Sequence, residues 1–152
     1  MVGGLDITKH DKMREMINKY KGRKEGPKFL GVRYLLAWDQ EDFMLRADAL
    51  KGLQILADNN LTFDWHTPTS GLKTRSLSQS CQPFFKGPFS TIKNIPEVAM
   101  KIPDLKIVIN HIAKPFGSDF KTWAEEMTKA SKFRNVYCKL SCLNDEVNFY
   151  EV

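Results

Sequence analysis

Short apolar runs alternate with amphipathic segments along this chain, and that alternation limits the folds that it can adopt. The clearest run, KIVIN at residues 106–110, is a near-continuous series of β-branched residues, which is typical of a strand buried on both faces of a parallel sheet. Strand character recurs at residues 2–5, 29–34, 61–65 and 136–140. The spacing of apolar residues predicts helices at residues 9–20, 47–57, 96–101 and 120–132. This alternation indicates an α/β fold with a parallel sheet.

The length of 152 residues leaves two architectures open. The chain holds about five strands and four helices, whereas a closed eight-stranded barrel takes about 250 residues and at least about 200. An open doubly wound sheet would fit the length. Periodicity alone does not choose between that sheet and part of a barrel.

Residues 66–92 break the pattern within what we predict to be a single domain over residues 1–152. The segment is rich in Ser and Thr, contains Pro68, Pro83 and Pro88, and shows neither a helical nor a strand period. So long a structureless stretch is unusual inside a compact domain, so we predict a long loop or an insertion foreign to the ancestral fold.

The net charge of +5 is concentrated in the same region. Residues 66–95 contain no acid and four cations, Lys73, Arg75, Lys86 and Lys93. Elsewhere basic and acidic residues are interleaved, as on solvated helix faces. No basic face alternates with aromatic residues, so the sequence gives little support to nucleic-acid binding.

Cysteine usage and hydropathy predict a cytoplasmic protein. The chain has three cysteines, Cys81, Cys138 and Cys142, and no CxxC pair. We interpret them as reduced thiols, in preference to Cys138 and Cys142 acting as metal ligands. No window approaches the roughly 18 consecutive apolar residues that span a bilayer, and the first residues lack the pattern of a secretory signal.

Three blocks of sequence, in their order and spacing, resemble one enzyme family. They are FLGVRY at residues 29–34 with LRADALKGL at 45–53, PDLKIVINHIAKP at 103–115, and NVYCKLS at 135–141. They are similar to the third strand and its helix, the fifth strand and the sixth strand of the amidohydrolase-related lactonases, which are sugar-lactone hydrolases of the fuconolactonase and rhamnonolactonase type. The resemblance covers roughly residues 2–143 except 66–92. It implies an incomplete (β/α)8 TIM barrel, from about strand 2 to strand 6.

The chain also departs from the family's pattern. The family's first strand carries a His-x-His pair, its eighth strand ends in an Asp within a Gly-Ser-Asp-Trp-Pro-like motif, and neither motif occurs in this sequence. Cys142 stands where a glycine is usual. We therefore expect a partial gene product, a truncated isoform or a decayed copy.

His111 and Arg33 are the catalytic candidates. His111 follows the strand at residues 106–110, where parallel barrels place active-site groups. An imidazole there ligates a divalent cation or binds a substrate carbonyl, and a structural hydrogen bond is the alternative. The resemblance favours a site role, with His111 as part of an incomplete metal site. Arg33 suits a carboxylate or a developing oxyanion, and a salt bridge that closes the barrel mouth is an equal alternative.

Lys114, Lys139 and Asp64 are the substrate-binding candidates. Lys114 lines the barrel mouth or is a surface lysine. Lys139 lies within an apolar strand, so we expect it to face the barrel interior or a neighbouring acid. Asp64 is likewise a charged residue within an apolar strand, at residues 61–65, so it too should need a charged partner or a polar cavity. His66 adjoins the irregular segment and is predicted to be a loop residue.

The resemblance implies hydrolysis of a small sugar lactone by water. In intact members an Asp of the last strand is the general base, while histidines, an Arg or a divalent metal such as zinc polarise the carbonyl. Whether a metal is required stays open. The expected motifs are absent, so we predict no useful hydrolysis by these residues alone. A non-catalytic remnant or binding module that self-associates through open barrel edges, and a metal-dependent decarboxylase of the same superfamily, are the alternatives.

Overall fold

Five strands and four helices alternate along the part of the chain that the computed structural model describes, which is residues 1–24, 28–35, 42–67, 91–113 and 120–141. The strands are β1 (Val2–Gly4), β2 (Gly31–Leu35), β3 (Thr62–His66), β4 (Lys106–Ile109) and β5 (Val136–Cys138). The helices are α1 (His10–Lys21), α2 (Ala47–Asp58), α3 (Ile95–Lys101) and α4 (Phe120–Ala130). Short 3₁₀ turns lie at Phe43–Leu45, Ile92–Asn94 and Asn110–Ala113.

The order of the strands decides between the two architectures. All neighbouring strands are parallel, and the sheet runs β1-β2-β3-β4-β5 in chain order. A doubly wound sheet reverses its order at a switch point, and the described sheet has no such reversal. Each strand instead pairs with the next one along the chain, as in a (β/α) barrel. The described sheet is therefore consistent with part of a TIM barrel.

The sheet face that packs against the helices forms the hydrophobic core. Its strand residues are Val32, Phe63, Trp65, Ile107 and Ile109, all of which are buried. Strand pairing keeps these side chains in common layers, because Val32 lies opposite Phe63 and Phe63 opposite Ile107. The strict alternation of strand side chains then sends the intervening residues to the other side.

We call that other side the inner face, defined by Arg33, Asp64, Val108 and Tyr137. These four residues occupy one level of the sheet, each opposite the next. In a closed barrel with its helices outside, this face lines the interior. The fold thus gathers charged side chains on one surface while the helices cover the apolar surface.

The predicted elements agree with the structure to within a few residues. β2 begins two residues later than predicted, and β5 ends two residues earlier. His66 is the last residue of β3, so the prediction that it is a loop residue is wrong. Residues 68–90 of the irregular segment lie outside the described residues. Among the described helices, none has the length and apolar character that a membrane crossing requires.

A glycine fixes how closely α2 approaches the loop after β1. A Cβ added to Gly52 would lie 1.9 Å from the carbonyl oxygen of Ile7, and Ile7 is itself fully buried. The carbonyl oxygen of Ile7 belongs to the backbone, so it cannot move aside as a flexible side chain would. α2 therefore accepts only a residue without a side chain at this point.

Replacing Gly52 with Ala should destabilise the fold. The added methyl forces α2 away from Ile7, and overpacking of this kind costs about 1–3 kcal/mol. Urea denaturation followed by circular dichroism measures the loss. Gly4→Ala is the matched control, since a Cβ at Gly4 meets nothing within 4 Å. Equal stability of the two variants would contradict the close approach.

Candidate active site at the carboxyl ends of the strands

A buried carboxylate with two cationic partners lies at the centre of the inner face. Asp64 is only 1% exposed, and its Oδ2 lies 2.5 Å from Nζ of Lys139 and 3.5 Å from Nη2 of Arg33. Arg33 is the register partner of Asp64 on β2. Lys139 follows β5, and β4 lies between β5 and β3, so the lysine side chain reaches across β4. We call Arg33, Asp64 and Lys139 the charged cluster.

The charged cluster explains why an aspartate lies within the apolar strand β3 and why a lysine directly follows β5. A carboxylate taken out of water is costly unless it is paired and hydrogen-bonded. Arg33 and Lys139 keep 38% and 40% of their side chains exposed, so both cations stay partly solvated. Two cations and one carboxylate leave a net charge of +1 on the inner face. The neighbouring acid expected for Lys139 is Asp64.

His111 stands on a backbone turn that L-amino acids rarely adopt. His111, Ile112 and Ala113 have φ values of 53°, 47° and 58°, all in the left-handed region. Left-handed backbone costs about 1–2 kcal/mol per residue, and it is an outlier for a β-branched residue such as Ile112. We call residues 111–113 the left-handed turn. Strain of this kind persists only where the surroundings enforce it.

Three hydrogen bonds enforce the left-handed turn. The backbone N–H of Ile112 donates to the carbonyl oxygen of Lys139 at 3.0 Å, and the N–H of Lys139 donates to that of Ile109 at 2.9 Å. From α4, the indole Nε1 of Trp123 donates to the carbonyl oxygen of Ile112 at 2.7 Å. The turn is thus held from β5 on one side and from α4 on the other.

Two further residues fix the imidazole of His111. Nδ1 of His111 and Oγ of Ser141 lie 2.8 Å apart in a hydrogen bond whose donor depends on the tautomer. The ring of His66 meets that of His111 edge-on, with 5.9 Å between the centroids. Two imidazoles therefore meet where β3 and β4 end, which is the edge that carries active sites in parallel barrels.

The described residues do not fit a zinc site. Structural and catalytic zinc sites take three or four protein ligands, and within the described ranges no three His, Cys, Asp or Glu side chains gather in a way that could hold a metal ion. Asp64 is already engaged by its two cations. Cys138 is a free and exposed cysteine, and partial desolvation raises the pKa of its thiol, with a backbone hydrogen bond from Ile112 opposing the shift.

The structure brings together most of the residues that the sequence singled out. Arg33, Asp64 and Lys139 form one cluster, and His111 lies at the same edge of the sheet. Lys114 lies outside the described residues. The residues that orient His111 and its turn, namely His66, Ser141 and Trp123, were not among the predicted site residues. For His66 a signal was present, since a histidine directly after an apolar strand is placed like His111.

Lys139→Met should lower the free energy of unfolding by about 2 kcal/mol, because a hydrogen bond between charged partners contributes about 1.5–3 kcal/mol. In an Asp64→Asn background the same change should cost much less, since the carboxylate that needs the ammonium is gone. Urea denaturation of the four proteins in this double-mutant cycle measures the coupling. Lys132→Met, at an exposed lysine, is the control. Purely additive effects would contradict the ion pair.

Trp123→Phe should loosen the left-handed turn. It removes the indole N–H while keeping an aromatic ring, so we expect a loss of about 1 kcal/mol and faster hydrogen exchange of the Ile112 amide. Exchange followed by NMR measures the second effect. Phe120→Leu is the control, because Phe120 packs on Trp123 without making this hydrogen bond. Unchanged exchange at Ile112 in Trp123→Phe would show that the indole does not hold the turn.

Comparison with known proteins places this architecture in a family. The family model described as amidohydrolase matches residues 2–151. Two solved structures of an amidohydrolase from Burkholderia multivorans are similar to the chain, one with bound zinc at a TM-score of 0.63 and 18% identity, and one with bound HEPES at 0.64 and 17%. No curated protein matches the chain significantly.

The two likenesses to solved structures concern the fold, because the identities are low. Each alignment covers 91% of this chain, and the chain spans 42% and 43% of the length of the two structures. The family model covers nearly all of the sequence, and the described sheet has the parallel, sequential order of a barrel. The chain therefore belongs to the amidohydrolase family.

Proposed function

We propose that the chain is the substrate-binding section of a hydrolase that opens a sugar lactone or a similar cyclic ester by attack of water. One observation carries the proposal: the charged cluster, with a net charge of +1, lies on the inner face, and the backbone carbonyl of Lys139 in that cluster accepts a hydrogen bond from Ile112, in the turn that carries the oriented imidazole of His111. A lactone carbonyl gains negative charge when water adds to it. Preorganised cations and hydrogen-bond donors stabilise that charge best.

Arg33 and Lys139 would supply the positive charge, and Asp64 would hold both in place. The carboxylate fixes the lysine ammonium at 2.5 Å, so little reorganisation is needed when an oxyanion forms. Asp64 is buried beneath its partners and is a positioning residue in this proposal. His111, fixed by Ser141, would hydrogen-bond the lactone carbonyl. Lys114 is proposed as a further substrate-binding residue from its place in the sequence.

No step of the proposed reaction runs through a metal, since the described residues gather fewer than three candidate ligands at this edge. The zinc in the solved relative is a property of that protein. Activation of water needs a general base, and the motif that supplies an Asp base in the lactonases does not occur in this sequence. Loss of such a group costs about 10²–10⁴ in rate. We therefore propose that the 152 residues bind a lactone but hydrolyse it poorly.

A second proposal, a non-catalytic module that self-associates, rests on the ends of the sheet. In the described sheet, β1 and β5 are the outermost strands, and each pairs with one neighbour. Unpaired strand edges favour pairing with another chain.

The three cysteines without a CxxC pair support a cytoplasmic location under either proposal.

A binding experiment with a matched pair of variants tests the lactone proposal. Calorimetric titration of the purified chain with 1,4- and 1,5-sugar lactones should show binding, and Arg33→Met should weaken it by about tenfold or more, because an interaction with a charged group is lost. Arg134→Met is the control, since Arg134 is an exposed residue before β5. A pH-indicator assay of the same lactones measures turnover.

The outcomes separate the two proposals. Folded wild-type protein that binds none of the lactones would contradict the substrate class. Equal weakening by Arg33→Met and Arg134→Met would contradict the role of the charged cluster. Concentration-dependent association in analytical ultracentrifugation, without lactone binding, would favour the self-associating module instead.

A further inference from the structure

One buried amide, directly after β4, makes no hydrogen bond with the described residues. Asn110 is 1% exposed, and neither Oδ1 nor Nδ2 of its carboxamide has a partner there. A buried amide without hydrogen bonds costs folding free energy. Native structures therefore contain few buried polar groups without hydrogen bonds, and such a group often has a functional role.

The position of Asn110 points to the active-site edge. Ile109 is the last paired residue of β4 and lies opposite Trp65 and Cys138. Asn110 comes next, in the turn that follows β4, just as His66 follows Trp65 and Lys139 follows Cys138. Asn110 also directly precedes His111 and the left-handed turn. The unsatisfied amide thus stands among the groups proposed to bind the lactone.

A second asparagine shows how a structural amide behaves in the same fold. Nδ2 of Asn135 lies within hydrogen-bond distance of the carbonyl oxygens of Ala99, Ile102 and Leu105, at 3.3, 3.3 and 3.0 Å. Asn135 thereby ties the end of α3 to the start of β5. Asn110 has no comparable role in the described part of the molecule. Nε of Arg33 is another buried donor without a partner there, and it belongs to the charged cluster.

We propose that Asn110 is a substrate-recognition residue whose carboxamide makes its hydrogen bonds with the bound substrate. A carboxamide presents an acceptor and a donor side by side. Its matching ligand offers a donor and an acceptor at the same spacing, as two adjacent hydroxyl groups of a sugar lactone do. This inference rests on the proposed function and deepens it, since it names the substrate feature that the site recognises. A lactone without hydroxyl groups leaves the buried amide unsatisfied.

Stability measurements test whether the fold itself uses Asn110. Asn110→Leu keeps a similar volume and removes no hydrogen bond of the described residues, so the thermal midpoint should be unchanged or higher. Asn135→Leu is the matched control and should lower the midpoint by about 2–4 °C or more, because its three carbonyl contacts are lost. An Asn110→Leu midpoint that falls as far as that of Asn135→Leu overturns the inference, because the amide is then structural.

Binding measurements test whether a ligand uses Asn110. The probes are D-galactono-1,4-lactone, which carries adjacent hydroxyl groups, and γ-butyrolactone, which carries none. Wild-type protein should bind the sugar lactone about tenfold or more tightly than γ-butyrolactone, and Asn110→Leu should abolish that preference. The sugar lactone should also shift the side-chain amide resonances of Asn110 in ¹H–¹⁵N spectra, assigned by their loss in Asn110→Leu.

The outcomes distinguish this inference from the proposed function. Binding of the sugar lactone with unmoved Asn110 resonances, or with equal affinity in Asn110→Leu, overturns the inference and leaves the lactone site intact. Absence of any lactone binding by the wild-type chain overturns both. A third outcome combines two results: this chain binds the sugar lactone through Asn110, and a full-length relative that retains the water-activating groups does not hydrolyse it. That outcome supports the inference and contradicts the proposed hydrolase function.

Discussion

Asp64 holds a negative charge in a place that water hardly reaches, and that charge has to be balanced by the chain itself. The balance comes from Arg33 on β2 and from Lys139 at the end of β5, so the residues involved span four adjacent strands. A slip of one residue in β3 would turn the carboxylate into the helix-covered core, away from both cations. The register of the strands therefore determines whether the buried carboxylate meets its two cations.

The elements of the fold could be predicted because burial leaves a strong pattern. In the β-branched run that became β4, Ile107 and Ile109 are buried and Val108 between them is partly buried, so neither face of the strand favours polar residues. The sheet order could not be predicted in the same way, since spacing along a chain of this length suits two architectures. The observed pairing of each strand with the next one along the chain supplied what periodicity lacked.

A residue of the candidate site could be predicted where its own stretch of sequence shows that its side chain requires a partner. A lysine at the end of an apolar run requires an acid, and the structure provides Asp64. Partners from distant segments could not be predicted in this way. Nothing in the sequence near Trp123 indicates that its indole N–H donates to the carbonyl oxygen of Ile112. His66 was missed because the Ser- and Thr-rich residues after it hid the end of a strand. The left-handed backbone at residues 111–113 was hidden too, because no glycine marks it.

The left-handed turn has a consequence for the order in which the molecule assembles. Its backbone is unfavourable alone, and the hydrogen bonds that offset this come from Lys139 after β5 and from Trp123 on α4, both of which follow the turn in sequence. A nascent chain that has emerged only as far as His111 lacks both supports. The imidazole therefore reaches its native orientation late, after α4 and β5 have docked, so a partly folded molecule lacks the arrangement of side chains at the candidate site.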